Sequence, residues 1–169
     1  ALLAGLLLPL LLFLILDLIN DKIRSRMDLE KLTEIEMIGV IGRNHAAKSL
    51  LTDLNPKSSI SEGFRALRSN LTYKNYEGKD KMYLLTSSVS GEGKTFIASN
   101  LAIVFANSGK RTLLLGGDLR RPKLYEDFDP NNKIGLSTIL SGENSIEECT
   151  IKNVTENLDV IVSGPLPSN

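Results

Sequence analysis

The sequence predicts an α/β fold in which a parallel sheet carries helices on both faces, preceded by a transmembrane helix. Three observations carry that expectation. A turn rich in serine and glycine, Ser88 to Thr95, stands between the apolar run Met82 to Ser87 and a helical run from Phe96 to Ala106. Further apolar runs, Arg111 to Leu115 and Leu158 to Val162, alternate with helical stretches. From Ala1 to Leu16 no side chain is charged or polar.

At the start of the chain, residues 1–19 read as the end of a transmembrane helix. A helix needs about 20 apolar residues to span a bilayer, and Leu18 and Ile19 extend the run towards that length. Pro9 frees one carbonyl, a kink that membrane helices tolerate. Lys22, Arg24, Arg26 and Lys31 follow directly, which marks the cytoplasmic side. Residues 20–57 read as a juxtamembrane linker with a charged helical stretch from Asp28 to Glu36, a short buried strand from Met37 to Gly42, and a loop through Asn55-Pro56.

Ser58 or Ser59 can cap the next helix, with Glu62 at capping-box spacing from Ser59. Ile60, Phe64, Leu67 and Leu71 form its apolar face. Glu62, Arg65 and Arg68 form a separate stripe. Glu62 and Arg65 can pair on their own helix, or the stripe can meet a neighbouring subunit in a head-to-tail ring. A polar turn containing Gly78 leads into the strand Met82 to Ser87. In the helix after Thr95, Ile97, Leu101, Val104 and Phe105 are expected to face the sheet, with Gly109 ending it. Arg111 to Leu115 is the next strand, Leu136 to Leu140 and Ser145 to Glu148 are short helices, and Leu158 to Val162 is a further strand.

The turn carries the chemistry. Gly91 and Gly93 give a backbone that lets several N–H groups converge on polyphosphate, and the helix behind them directs the positive end of its dipole to the same place. This strand, loop and helix order is the P-loop NTPase type. Ser90, Gly91, Glu92, Gly93, Lys94, Thr95 and Phe96 form the nucleotide-binding stretch, with ATP or ADP as ligand. Lys94 reaches the β- and γ-phosphates, and the Thr95 hydroxyl ligates Mg²⁺. Ser88 stands where a first glycine is usual. Asp118, at the carboxyl end of a neighbouring strand, points to the same crevice, where it can bind Mg²⁺ or accept a proton; it can equally cap the next turn.

A formal net charge of +0 gives no basic footprint for nucleic acid. The single cysteine, Cys149, has no internal disulfide partner, and His45 has no companion for a metal site.

Taken together, the motifs resemble the bacterial tyrosine kinases fused to polysaccharide chain-length determinants. The resemblance rests on the apolar helix, Glu62-x-x-Arg65-x-x-Arg68, the loop ending Gly93-Lys94-Thr95, and Leu113-Leu114-Leu115 followed by Asp118-Leu119-Arg120-Arg121-Pro122. It implies ring assembly of a homo-oligomer through the first motif and ATP binding through the second. The third, the Walker A′ motif, would serve Mg²⁺ and phosphoryl transfer, with Lys94 and Asp118 as catalytic residues. It also implies a neighbouring subunit's tyrosine-rich tail as acceptor and polysaccharide assembly or export machinery as partner. The kinase part would sit on the cytoplasmic side of the bacterial inner membrane. By the same resemblance, residues 58–169 are the N-terminal part of the kinase domain, a fragment that stops before Walker B. Where the family usually has an aspartate, this chain has Gly116. A nucleotide-gated scaffold without phosphotransfer is the alternative. The related partition and division-site ATPases carry an early loop lysine where Val89 stands.

Overall fold

The leucine-rich start of the chain folds into α1 (Leu2–Leu18), with Pro9 inside it, in the computed structural model, which describes residues 2–19, 23, 26–44, 50, 58–74 and 81–166. At 1.5 Å per residue α1 is about 25 Å long, against about 30 Å for a bilayer core. No helix among the described residues is long and apolar enough to cross a membrane. A short helix, α2 (Arg26–Leu32), follows. Arg26 and Glu30 pair across one of its turns at 2.6 Å, both exposed, a contact that adds only a few tenths of a kcal/mol. These two helices belong to a unit that ends at Met37, and the glycine-rich loop belongs to a second unit beginning at Ile38.

The second unit opens with an extended segment instead of the expected strand at 37–42. Its backbone lies along a helix, α3 (Ser59–Lys74), so its carbonyls turn to that helix and away from any sheet. Asn70 donates its side-chain amide to the Ile38 carbonyl at 2.8 Å. A Cβ at Gly63 would sit 3.3 Å from the Val40 carbonyl oxygen, so the glycine permits the close approach. Ser58 caps α3: its hydroxyl accepts from the Ser61 N–H at 3.2 Å. Ser58, one of the two serines expected, is thus the cap in place of the capping box expected between Ser59 and Glu62, and Glu62 pairs with Arg65. The expected apolar face does form, with Phe64 and Leu67 buried and Ile60 and Leu71 packed beside them.

Behind the glycine-rich loop runs α4 (Lys94–Ala106). Its sequence is apolar nearly all round, and such a helix is buried on more than one side. Leu101 and Val104 pack with Phe64 and Leu67 of α3, while Ala102, Ile103 and Ala106 pack on the sheet. Ile97, Leu101, Val104 and Phe105 thus face α3, contrary to expectation, because the hydrophobic positions alone could not tell one neighbour from the other. Gly109 closes the turn after α4 with φ 80°.

The sheet has three strands in the order β1-β3-β2: β1 (Thr112–Leu115), β2 (Ile151–Thr155) and β3 (Leu158–Ile161). β1 and β3 are parallel, with Thr112 opposite Leu158 and Leu115 opposite Ile161. β2 is antiparallel to β3 and turns back through Glu156 and Asn157, with Asn157 at φ 66°. Leu114, Leu158, Val160 and Val162 line the face under α4. On the opposite side Leu113 and Leu115 are about half exposed, so among the described residues β1 is covered on one face only.

The expected strand at Met82 to Ser87 is not one of the three. Pairing needs a neighbour that exchanges backbone hydrogen bonds, and among the described residues β1 has a strand only on its β3 side. The segment is held by Tyr83 stacked on Phe105, with ring centroids 5.7 Å apart, while Met82 and Leu84 are exposed.

Three short helices join β1 to β2: α5 (Tyr125–Phe128), α6 (Leu136–Leu140) and α7 (Ile146–Cys149). Ser145 caps α7 in a capping box with Glu148. Cys149 is buried, with its sulfur 3.6 Å from the Thr138 hydroxyl, as an ordinary small core side chain would be. His45, Asn55, Pro56, Tyr76 and Gly78 lie outside the described residues.

Candidate nucleotide-binding site

The loop from Ser88 to Gly93 is shaped by its two glycines. Gly91 and Gly93 take φ 92° and 96°, where other residues are strained, and a Cβ on either would meet nothing, so the loop is open above them. Gly93 is also the N-cap of α4 and offers no side chain to the first N–H groups of the helix. Those donors, and the positive end of the helix dipole, face the loop.

Lys94 is half-buried and donates its ammonium to the Ser87 hydroxyl at 3.0 Å; Ser87 in turn donates to the Val89 carbonyl at 2.8 Å. The Val89 N–H donates to the Glu92 carboxylate at 3.3 Å. The ammonium is therefore held at the loop by one neutral partner, a contact that a phosphate would outcompete. Phe96 is placed differently from its neighbours: its ring meets Phe64 edge to face, centroids 5.7 Å apart, so only its backbone belongs to the loop.

Asp118 lies where β1 ends. Its carboxylate accepts from the Arg121 N–H at 2.9 Å and the Arg120 N–H at 3.1 Å, so it caps its own turn. The Arg121 main-chain bond holds this carboxyl below its ordinary pKa, helped by the Arg120 bond and the positive charges of Lys94 and Arg121 against some desolvation. The charged form is what these donors stabilise. That contribution is in place above the ordinary carboxylate pKa and is lost as pH falls through the lowered value. Capping its own turn and lining the cleft are thus compatible for Asp118.

One cleft brings Lys94, Thr95, Gly116, Asp118 and Arg121 together, with Ser163 among its lining residues. A second hollow, on another part of the loop, is lined by Gly42, Arg43, Asn44, Gly91 and Phe96. Sequence reasoning missed Ser87, Arg121 and Ser163. Ser87 carried a signal in the serine run before the loop, and Arg121 in the basic pair after Asp118, but Ser163 carried none. Glu62, Arg65 and Arg68 lie away from both hollows, on α3; Arg68 reaches the Val104 carbonyl of α4 at 3.4 Å.

Gly116 has a structural reason. Its N–H continues the parallel ladder to the Ile161 carbonyl at 2.8 Å, and a Cβ would lie 2.9 Å from the Ser163 nitrogen and 3.3 Å from Leu124 Cδ2. Gly116→Ala should therefore cost about 1–3 kcal/mol of stability, measured by chemical denaturation. A cost near zero would mean that the β1 and β3 ends part easily.

No protein-family model matches the chain. It is 37% identical over 122 residues to the tyrosine-protein kinase YwqD of Bacillus subtilis, covering 72% of this chain and 52% of that protein. It is 39% identical over 114 residues to the putative tyrosine-protein kinase CapB of Staphylococcus aureus, covering 68% and 50%. Among solved structures it is similar to the chimerical protein CapA2B2, with a TM-score of 0.75 at 36% identity over 86% of this chain and 62% of that one. The kinase domain of Escherichia coli tyrosine kinase ETK gives the same TM-score at 29% identity over 86% and 61%. The chain spans about half the length of YwqD and CapB. In sequence and in fold the chain is thus similar to the kinase domain of bacterial tyrosine kinases.

Proposed function

We propose that the protein binds ATP in the loop from Ser88 to Thr95 and passes its terminal phosphoryl group to a tyrosine hydroxyl. The observation that carries this is the convergence of Lys94, Thr95 and Asp118 on one cleft at the carboxyl end of β1. Loop amides and the α4 N-terminus would hold the inner phosphates, and Lys94 the outer ones. Asp118, kept ionised, is suited to orient and deprotonate an incoming hydroxyl. Mg²⁺ fits the donors present. Thr95 and Asp118 offer oxygen, and Mg²⁺ commonly combines one or two protein ligands with phosphate oxygens and water. Among the described residues no cluster of three His, Cys, Asp or Glu could hold a metal, so the ion would arrive with the nucleotide. Bound there, it would supply charge neutralisation between the β- and γ-phosphates.

Our reading extends to the whole protein. Its acceptor would be a tyrosine-rich tail of a neighbouring subunit in a ring, with Glu62, Arg65 and Arg68 at the contact. The role would be control of capsule or exopolysaccharide synthesis or export through the assembly machinery. Because Glu62 and Arg65 already pair on α3, a ring contact would have to exchange that bond for one across subunits. The exposed apolar side chains of α1 support a bacterial inner-membrane anchor with the kinase part in the cytoplasm. A nucleotide-gated scaffold without phosphotransfer remains the second reading, favoured by Gly116: the chain lacks a second carboxylate there and has no room for one on this backbone.

Full-length protein given ATP and Mg²⁺ should accumulate phosphotyrosine, and Asp118→Asn should slow that by roughly a hundredfold. Tight ATP binding with no phosphotyrosine would select the scaffold.

A further inference from the structure

The cleft holds more positive charge than the loop motif requires. Lys94, Arg121 and Lys123 line it, and among the described lining residues Asp118 is the only carboxylate, which leaves an excess of two positive charges there facing the same space. Asp118 does not neutralise Arg121 by pairing with its guanidinium. It takes the Arg121 main-chain N–H, and among the described residues no hydrogen bond or ion pair involves the Arg121 side chain. The turn thus fixes the Arg121 backbone at the cleft while its planar fork of donors takes no partner among the described residues.

We propose that Arg121 contacts the terminal phosphate of the bound nucleotide and so makes the site select a triphosphate over a diphosphate. This rests on the nucleotide reading above and adds a residue to it. Two features favour the terminal phosphate. Arg121 comes from the turn after β1, whereas Lys94 and the loop amides come from the start of α4, so the two cations approach an anion from separate elements. The loop and helix amides serve the inner phosphates, which leaves the outermost oxygens to a group from across the cleft. Guanidinium binds phosphate oxygens in pairs, and such charge-assisted contacts are among the strongest available to a side chain.

The test is calorimetric titration of full-length protein, with Mg²⁺, against ATPγS and ADP. Arg121→Ala should weaken ATPγS by at least about tenfold and ADP by less than about twofold, since only the former presents the third phosphate. The Asp118 turn should survive, because its bond comes from the main chain. Arg121→Gln, which keeps the stem, should show the same loss of preference and guards against a folding defect in the alanine variant. An unchanged ratio between the two ligands, whether both weaken or neither does, overturns the assignment. If wild-type protein binds neither ligand, the nucleotide reading itself falls.

Discussion

Lys94→Ala is expected to weaken ATP binding by at least about a hundredfold while leaving the melting transition of the unliganded protein nearly unchanged. The first half follows from charge. The ammonium is the cation built into the loop itself, and removing two or three charge-assisted bonds to phosphate costs several kcal/mol, at about 1.4 kcal/mol per tenfold. The second half follows from what Lys94 touches. Its recorded partner is the Ser87 hydroxyl at 3.0 Å, a contact within the loop that no core residue depends on. Calorimetry with ATP and Mg²⁺, paired with a thermal melt, reads both. Unchanged affinity would place the nucleotide elsewhere; a collapsed fold would make Lys94 a structural residue.

Phe64→Ala is expected to produce the largest loss of stability, about 3–5 kcal/mol, which for a chain of this size lowers the melting midpoint by on the order of 10 °C. Phe64 is fully buried between α3 and α4, with Leu67, Leu101 and Val104 around it and the Phe96 ring edge-on. Truncation leaves a cavity that two helices pinned by other contacts cannot close. Because Phe96 stands two residues after Lys94, part of the damage should also appear as weaker ATP binding. Denaturant titration and the same calorimetry measure the two effects. A loss below about 1 kcal/mol would mean that α3 is only loosely docked.

What could be read from the chain beforehand was whatever depends on local chemistry. The loop glycines, Lys94, Thr95 and the Asp118 turn are specified by residues within a few positions of one another. So is the face of α3, where Phe64 and Leu67 recur at helical spacing. Placement against distant neighbours was not legible. The residues of α4 are apolar on every side, so its two partners could not be assigned. Apolar runs at 37–42 and 82–87 satisfy a strand pattern, but whether they pair depends on what lies beside them. β2 escaped notice because Lys152 and Asn153 interrupt its alternation; it forms through pairing with β3, and Asn153 leaves the regular path at φ 53°. Ser163 joins the cleft only because β1 and β3 are adjacent, which no local pattern announces.

Three helices of the second unit differ in how they begin. α3 and α7 are started by serine hydroxyls that satisfy their own backbone donors, whereas α4 begins at a glycine with nothing to give. Its opening turn lacks a side-chain cap, and on the proposed nucleotide reading an incoming phosphate would supply the missing piece. Ligand and helix terminus would then complete each other, so occupancy of the site and firmness of the helix that spans both cores would rise together.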